Sequence, residues 1–179
     1  RLMDQIVLEQ ELKRQYELDA LQAQINPHFL YNTLDSIVWM QERGQNQDAI
    51  LMVTALARLF RISISKGRSI ITVAEELEHV RNYLIIQSIR FKNKFTYTID
   101  AEPAALKLRT VKLILQPLVE NTIVHGFSHF ATDEGRIEIS ARVEDRCLVM
   151  RVRDNGLGMS EEMVKTVLIP QKAGGIGLR

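Results

Sequence analysis

Between Arg1 and Ile25 there is no glycine or proline, and Leu2, Ile6, Leu8, Leu12, Leu18, Leu21 and Ile25 recur among Glu, Gln and Lys, which predicts a helix. The phase slips before Leu18. From there Leu18, Leu21, Ile25, His28 and Asn32 follow a 3-4-3-4 rhythm, so that an imidazole and a carboxamide continue a coiled-coil-like seam. Asn26-Pro27 reads either as an N-cap with a first-turn proline or as a kink within one longer helix. Phe29, Leu30, Leu34, Ile37 and Val38 carry the apolar surface on to Trp39 and Met40, with Trp39 read as core, until Gly44 ends it. A second helix is expected from Asn46 to about Lys66, with Ile50, Val53, Ala57, Phe60 and Ile64 as its stripe and Gly67 as its stop.

Ser69 to Val73 reads as a short edge strand, followed by a helix opened by the capping-box pattern Thr72-Val73-Ala74-Glu75. Val73, Leu77, Val80, Leu84, Ser88 and Phe91 form its expected buried stripe, and His79 is placed on the surface. Lys94 to Ile99 alternates and is rich in β-branched residues, so it reads as a strand, and Leu106 to Arg109 as a short extended piece. Val111 to Gly126 reads as a helix that Pro117 starts or kinks. Arg136 to Val143 and Cys147 to Arg153 are two strands joined by Glu144-Asp145-Arg146. The expected fold class is α+β: a helical hairpin over residues 1–68, then an α/β sandwich over residues 69–179 with helices on one face of a largely antiparallel sheet. A hairpin of about 66 residues is near the limit for an independent core, so a homodimer forming a four-helix bundle is expected.

Composition narrows the class. With 23 basic and 22 acidic residues the net charge is +1, which provides no global attraction to nucleic acid or to a membrane, so no direct nucleic-acid partner is expected. The single Cys147 excludes an internal disulfide, suits a reducing compartment, and sits in an apolar run that favours a core role. No apolar stretch is long enough to span a bilayer. The chain opens inside a helix-like pattern without an initiator Met and reads as a fragment, any membrane attachment lying in absent N-terminal segments.

Chemistry concentrates at four places. His28 and Asn32, four residues apart, share one helix face, and a neutral imidazole nitrogen can attack phosphorus without a strong base. In Gln116-Pro117-Leu118-Val119-Glu120-Asn121-Thr122-Ile123-Val124-His125-Gly126, the polar Glu120, Asn121 and His125 interrupt an apolar helix and need partners there. Asp154-Asn155-Gly156-Leu157-Gly158 ends a strand, and Gly174-Gly175-Ile176-Gly177-Leu178 is a terminal glycine loop.

Taken together and in this order, these motifs resemble a sensor histidine kinase of the LytS/YesM type, whose ATP-binding domain belongs to the GHKL group that includes gyrase B and MutL. The resemblance covers about Leu21 to Leu178. It implies ATP and Mg2+ as cofactors, with Asn121 as the metal ligand, Glu120 orienting that ligand or a water, and His125 approaching the phosphates. Asp154 would accept a hydrogen bond from the adenine amino group, Gly156 and Gly158 would let the backbone lie against the base, and Gly175, Gly177 and Leu178 would belong to the phosphate loop, beside a lid over Ser160 to Ala173. His28 would be the phosphoacceptor, with Asn32 orienting a water or a phosphoryl oxygen, and the group would pass to the receiver domain of a response regulator. The YesM-like Leu34 to Met40 segment implies a regulator with an AraC-type DNA-binding domain. The location implied is the cytoplasmic side of the cell membrane.

Two departures stand out. The residue after His28 is Phe29 where many histidine kinases carry an acid, leaving Asp35 or Glu120 as alternative bases, and the chain stops after the glycine loop, so its sheet is expected to be incomplete. The competing function is a GHKL-type ATPase that uses nucleotide to drive a dimer without a phosphohistidine.

Overall fold

The computed structural model describes residues 26–63, 69–127, 135–160 and 163–164. The helix expected before Ile25, the end of the second helix with Ile64 and Gly67, most of the Ser160–Ala173 lid, and the glycine loop lie outside them. The chain divides into two compact units, Arg1–Arg68 and Ser69–Arg179.

In the first unit, α1 (Pro27–Glu42) and α2 (Asn46–Ser63) pack together as a hairpin. Asn26 begins α1 as a true N-cap: its backbone is extended, its Oδ1 accepts from the N–H groups of His28 (3.1 Å) and Phe29 (3.3 Å), and Pro27 follows in the first turn. The cap reading of Asn26-Pro27 therefore holds over the kink. Between the helices Gly44 takes φ +72°, a left-handed turn that glycine adopts without strain.

The buried face of α2 is Ala49, Met52, Ala55, Leu56, Leu59 and Ile62, whereas Ile50, Val53 and Ala57 of the expected stripe are exposed and Phe60 is half-buried. On α1, Thr33 and Met40 are buried while Tyr31, Leu34, Val38 and Trp39 are exposed. Each helix thus carries two apolar stripes, and one chain covers only one of them. Trp39, expected in the core, is 40% exposed with the Arg43 guanidinium 4.1 Å from its ring centroid.

The second unit begins with β1 (Ile70–Thr72) and α3 (Val73–Arg90), joined by the expected capping box: Thr72 Oγ1 accepts from the Glu75 N–H (3.2 Å) and Glu75 Oε2 accepts from the Thr72 N–H (2.7 Å). Then come β2 (Phe95–Ala101), the short α4 (Pro103–Leu106), β3 (Arg109–Val111), α5 (Leu115–Asn121), a π-helical turn (Thr122–Gly126), β4 (Gly135–Glu144) and β5 (Cys147–Asp154). β1 and β3 form a two-stranded antiparallel ribbon. The main sheet has the order β2-β4-β5, with β2 parallel to β4 and β4 antiparallel to β5. It is mixed where a largely antiparallel sheet was expected, because the chain returns to β4 across the whole α4–α5 segment rather than through a hairpin. The β4–β5 hairpin turns on Asp145 and Arg146, both at positive φ (47° and 65°), as a two-residue hairpin of this twist requires.

The core lies between the helices and the sheet. Ile137, Ile139 and Ala141 alternate inward on β4, and Val73, Leu77, Val80 and Leu84 of α3 meet them together with Leu115 and Val119 of α5. Because α3 packs against both α5 and β2, it is buried on more than its expected stripe. His79, expected on the surface, is completely buried, and Phe91, expected in the stripe, is exposed at the helix end. Cys147, expected in the core, is exposed at the start of β5.

Candidate functional site

His28 sits in the first turn of α1 with an exposed side chain. The Asn32 amide Nδ2 lies 3.1 Å from its Nε2 and 3.2 Å from its Nδ1, the contact that the i,i+4 spacing dictates. Asn32 is therefore a partner of the imidazole itself within one helix. The N-terminal turn carries the positive end of the helix dipole, which favours an anion on or near this imidazole. Asp35 is exposed on α1, two turns further on, which at 1.5 Å per residue is about 10 Å along the axis, too far for direct proton exchange with His28 in the same helix.

In the second unit, α5, the π turn and the end of β5 converge. Pro117 stands in the first turn of α5, where its missing N–H costs no helical bond. The helix then widens at Thr122, whose carbonyl accepts from the Phe127 N–H (3.1 Å), and π turns of this kind recur at functional sites. Glu120 is half-buried, and Asn121 and His125 are exposed on this helix. The expectation of a buried amide beside an acid is corrected: these polar groups lie on the solvent-facing side, while Leu115, Val119 and Ile123 face the core.

Asp154 ends β5 with both carboxylate oxygens engaged. Its Oδ1 accepts from the Gly156 N–H (2.8 Å) and its Oδ2 from the Thr122 hydroxyl (3.0 Å), so the residue after Asn121 orients the carboxylate across the gap between helix and strand. Gly156 has no room for a side chain: a Cβ there would lie 2.8 Å from the Gly126 Cα and 2.9 Å from its carbonyl oxygen. Two glycine backbones thus touch where the π turn meets the Asp154 turn. Gly158 takes φ +70°, a conformation L side chains rarely adopt. Asn155 Oδ1 accepts from the Arg136 N–H (2.7 Å), tying the same turn to β4. Gly175, Gly177 and Leu178 lie outside the described residues.

A polar chain on α3 lies within electrostatic reach of Glu120. The Gln87 amide donates to the Tyr83 hydroxyl (2.7 Å), and Arg90 donates to Gln87 Oε1 (3.0 Å). Burial first, and then the Glu120 charge, push the Tyr83 hydroxyl well above its ordinary pKa. Sequence reasoning missed Thr122, Glu76, Tyr83 and Gln87. Only Thr122 had a local signal, its place directly after Asn121. The others lie in a helix whose apolar periodicity masked them.

The family model described as histidine kinase matches residues 16–95, and the one described as histidine kinase-, DNA gyrase B-, and HSP90-like ATPase matches residues 107–178. The chain belongs to the sensor histidine kinases of the LytS/YesM type, with a GHKL-type ATPase domain after its helical part. Among its relatives, the sensor histidine kinase YesM of Bacillus subtilis (strain 168) is 40% identical over 165 residues, covering 92% of this chain and 28% of that protein. The sensor histidine kinase BtsS of Escherichia coli (strain K12) is 38% identical over 141 residues, 79% of this chain and 25% of that protein. The sensor protein LytS of Enterococcus faecalis is 31% identical over 176 residues, 96% of this chain and 30% of that protein. The chain thus spans less than a third of the length of these relatives. A solved histidine kinase domain from the blue-light activated histidine kinase of Erythrobacter litoralis is 21% identical with a TM-score of 0.43, covering 86% of this chain and 75% of that one.

Proposed function

We propose that this chain is the catalytic region of a sensor kinase that moves the γ-phosphoryl group of ATP to His28 and then to an aspartate on a response-regulator receiver domain. The observation that carries the reading is the exposed His28 imidazole at a capped helix start with the Asn32 amide beside it, in one chain with an Asp154 carboxylate oriented by Thr122, the residue after Asn121. In the first step a ring nitrogen attacks the γ-phosphorus, the bond to ADP breaks, and the ring proton passes to a base. Phe29 cannot serve and Asp35 is two turns away along the same helix; the base proposed is Glu120, acting directly or through a water. In the second step the aspartate carboxylate attacks the phosphohistidine and the P–N bond to His28 breaks; in the separate phosphatase reaction Asn32 positions a water that hydrolyses the aspartyl phosphate to aspartate and inorganic phosphate. A regulator with an AraC-type DNA-binding domain is the proposed acceptor.

The residues present fit Mg2+ and ATP. Among the described residues no three His, Cys, Asp or Glu side chains converge. A hard cation here would be held by the Asn121 amide oxygen together with phosphates and water, the mode this ion prefers. When bound, it neutralises phosphate charge. Asp154, oriented by Thr122 and Gly156, suits the adenine amino group, and His125 with Gly175, Gly177 and Leu178 would meet the phosphates. The second apolar stripe of each hairpin helix supports a homodimer whose four helices cover Leu34, Val38, Ile50 and Val53. Among the described residues no helix is long and apolar enough to cross a membrane. We place the region at the cytoplasmic side of the cell membrane, attached through other segments of a longer protein.

Titrating Asp154→Asn with ATP and with GTP tests the nucleotide half. Losing a charged acceptor weakens ATP binding by about tenfold or more and narrows the preference over GTP. Unchanged affinity and unchanged preference contradict the adenine contact.

A further inference from the structure

The turn that starts the site helix is held by a side chain from a different helix. Leu113 stands at φ +64°, in the left-handed region, immediately before α5. Two donors in this turn find their acceptors on Glu76 of α3: its Oε2 accepts from the Leu113 N–H (2.8 Å) and its Oε1 from the Leu115 N–H (2.9 Å). Leu115 is the first residue of α5, and the N-cap residue Ile114 offers no side-chain acceptor, so Glu76 supplies the missing cap from 39 residues away. Its negative charge faces the positive end of the α5 dipole.

Glu76 has no solvent exposure. A carboxylate is costly to bury, and an apolar side chain would serve simple core filling better. The surroundings fix its place from both sides. The Thr72–Glu75 capping box sets the first turn of α3, Thr72 pairs with Arg109 in the β1–β3 ribbon, and the Lys112 N–H donates to the Ser69 carbonyl (2.9 Å) at the ribbon's end. The Lys112 ammonium feels the Glu76 charge, which opposes the effect of its burial.

We propose that Glu76 is a positioning residue for the nucleotide site: by holding Leu113 and the first turn of α5, it sets where Asn121, the last residue of that helix, is presented. α5 is seven residues long, less than two turns past its N-terminus to Asn121. A shift at its start therefore reaches the amide undamped. The inference rests on the reading of Asn121 as the metal-side contact.

The test is the factor by which Mg2+ tightens ATP binding, measured on the full-length protein. Glu76→Gln keeps one acceptor and turns an NH2 toward the other donor. It is expected to cut the Mg2+ enhancement at least about fivefold at a temperature where circular dichroism shows the variant folded. Adding Leu113→Gly is expected to restore most of it, because glycine takes the left-handed conformation unaided. A role in stability alone moves the melting temperature and leaves the Mg2+ factor at its original value, which overturns the proposal. Asn121→Ala is the control. If it keeps the enhancement, the reading of Asn121 fails and the inference falls with it; if it loses the enhancement while Glu76→Gln keeps it, only the positioning role fails. Should Glu76→Gln not fold, amide exchange in the unaltered protein decides. The Leu113 N–H lies outside any helix or sheet ladder, so slow exchange supports the clamp and exchange at the unprotected rate overturns it.

Discussion

At the scale of single residues, chemistry is assigned by what each side chain touches. Asn32 is the clearest case. Its amide lies 3.1 Å from His28 Nε2 on the same helix, a contact that one helix makes by itself. His28 is exposed and Asn32 half-buried, and breaking such an i,i+4 contact costs only about 0.2–0.5 kcal/mol. Asn32→Ala is therefore expected to leave thermal stability nearly unchanged. It should slow dephosphorylation of the partner aspartate by about tenfold or more, with a smaller effect on phosphohistidine formation. Stability, kinase rate and phosphatase rate on the one variant check this. A lowered melting temperature with both rates depressed together would assign Asn32 to packing instead. The pair itself was legible in the sequence because spacing alone puts residues 28 and 32 together. Glu76 was not, since its two donors lie 37 and 39 residues away and nothing local marks a buried acid beside a capping box.

At the scale of elements, local signals translated directly. The Thr72–Glu75 capping box and the Asp145-Arg146 hairpin each depend on residues within one turn, whereas the helix expected from Val111 begins only at Leu115, because Val111 pairs in β3 and Leu113 turns the chain at positive φ. Faces were harder to read. The α2 stripe legible in the sequence is the open one, and α3 is buried on several sides because it meets both α5 and β2. His79 shows the consequence. Burial chiefly, and the nearby Lys112 charge, lower its pKa from 6.5 to about 4. The folded state thus refuses a proton that the unfolded state accepts between those values. Stability is unaffected by this group above about pH 6.5 and falls as pH drops toward 4. Between pH 7 and pH 5 the loss from His79 is about 2 kcal/mol. Urea midpoints at the two pH values should show His79→Gln losing less stability than the unaltered protein over that interval. Equal losses would contradict the buried, neutral imidazole.

At the scale of the molecule, a helical hairpin and an α/β unit stand in one chain, and division of labour follows from what each can offer. The hairpin presents His28 at a helix start and an apolar face suited to a second copy. The α/β unit brings Thr122, the residue after Asn121, onto Asp154 through contact between the π turn and the end of β5. The division after residue 68 was signalled in the sequence by Gly67, read as the stop of the second helix, while the change of texture lies further on, from Phe91. The parallel pairing of β2 with β4 was not, because it joins segments about 40 residues apart through no local turn signal. The central claim is that the γ-phosphoryl group of ATP passes to His28 and leaves ADP behind. Incubating the full-length protein with Mg2+ and ATP labelled at the γ-phosphate tests it most directly. The account predicts an acid-labile label on His28 that disappears in His28→Gln and in Asn121→Ala. ATP hydrolysis without label, or label that survives His28→Gln, would contradict it.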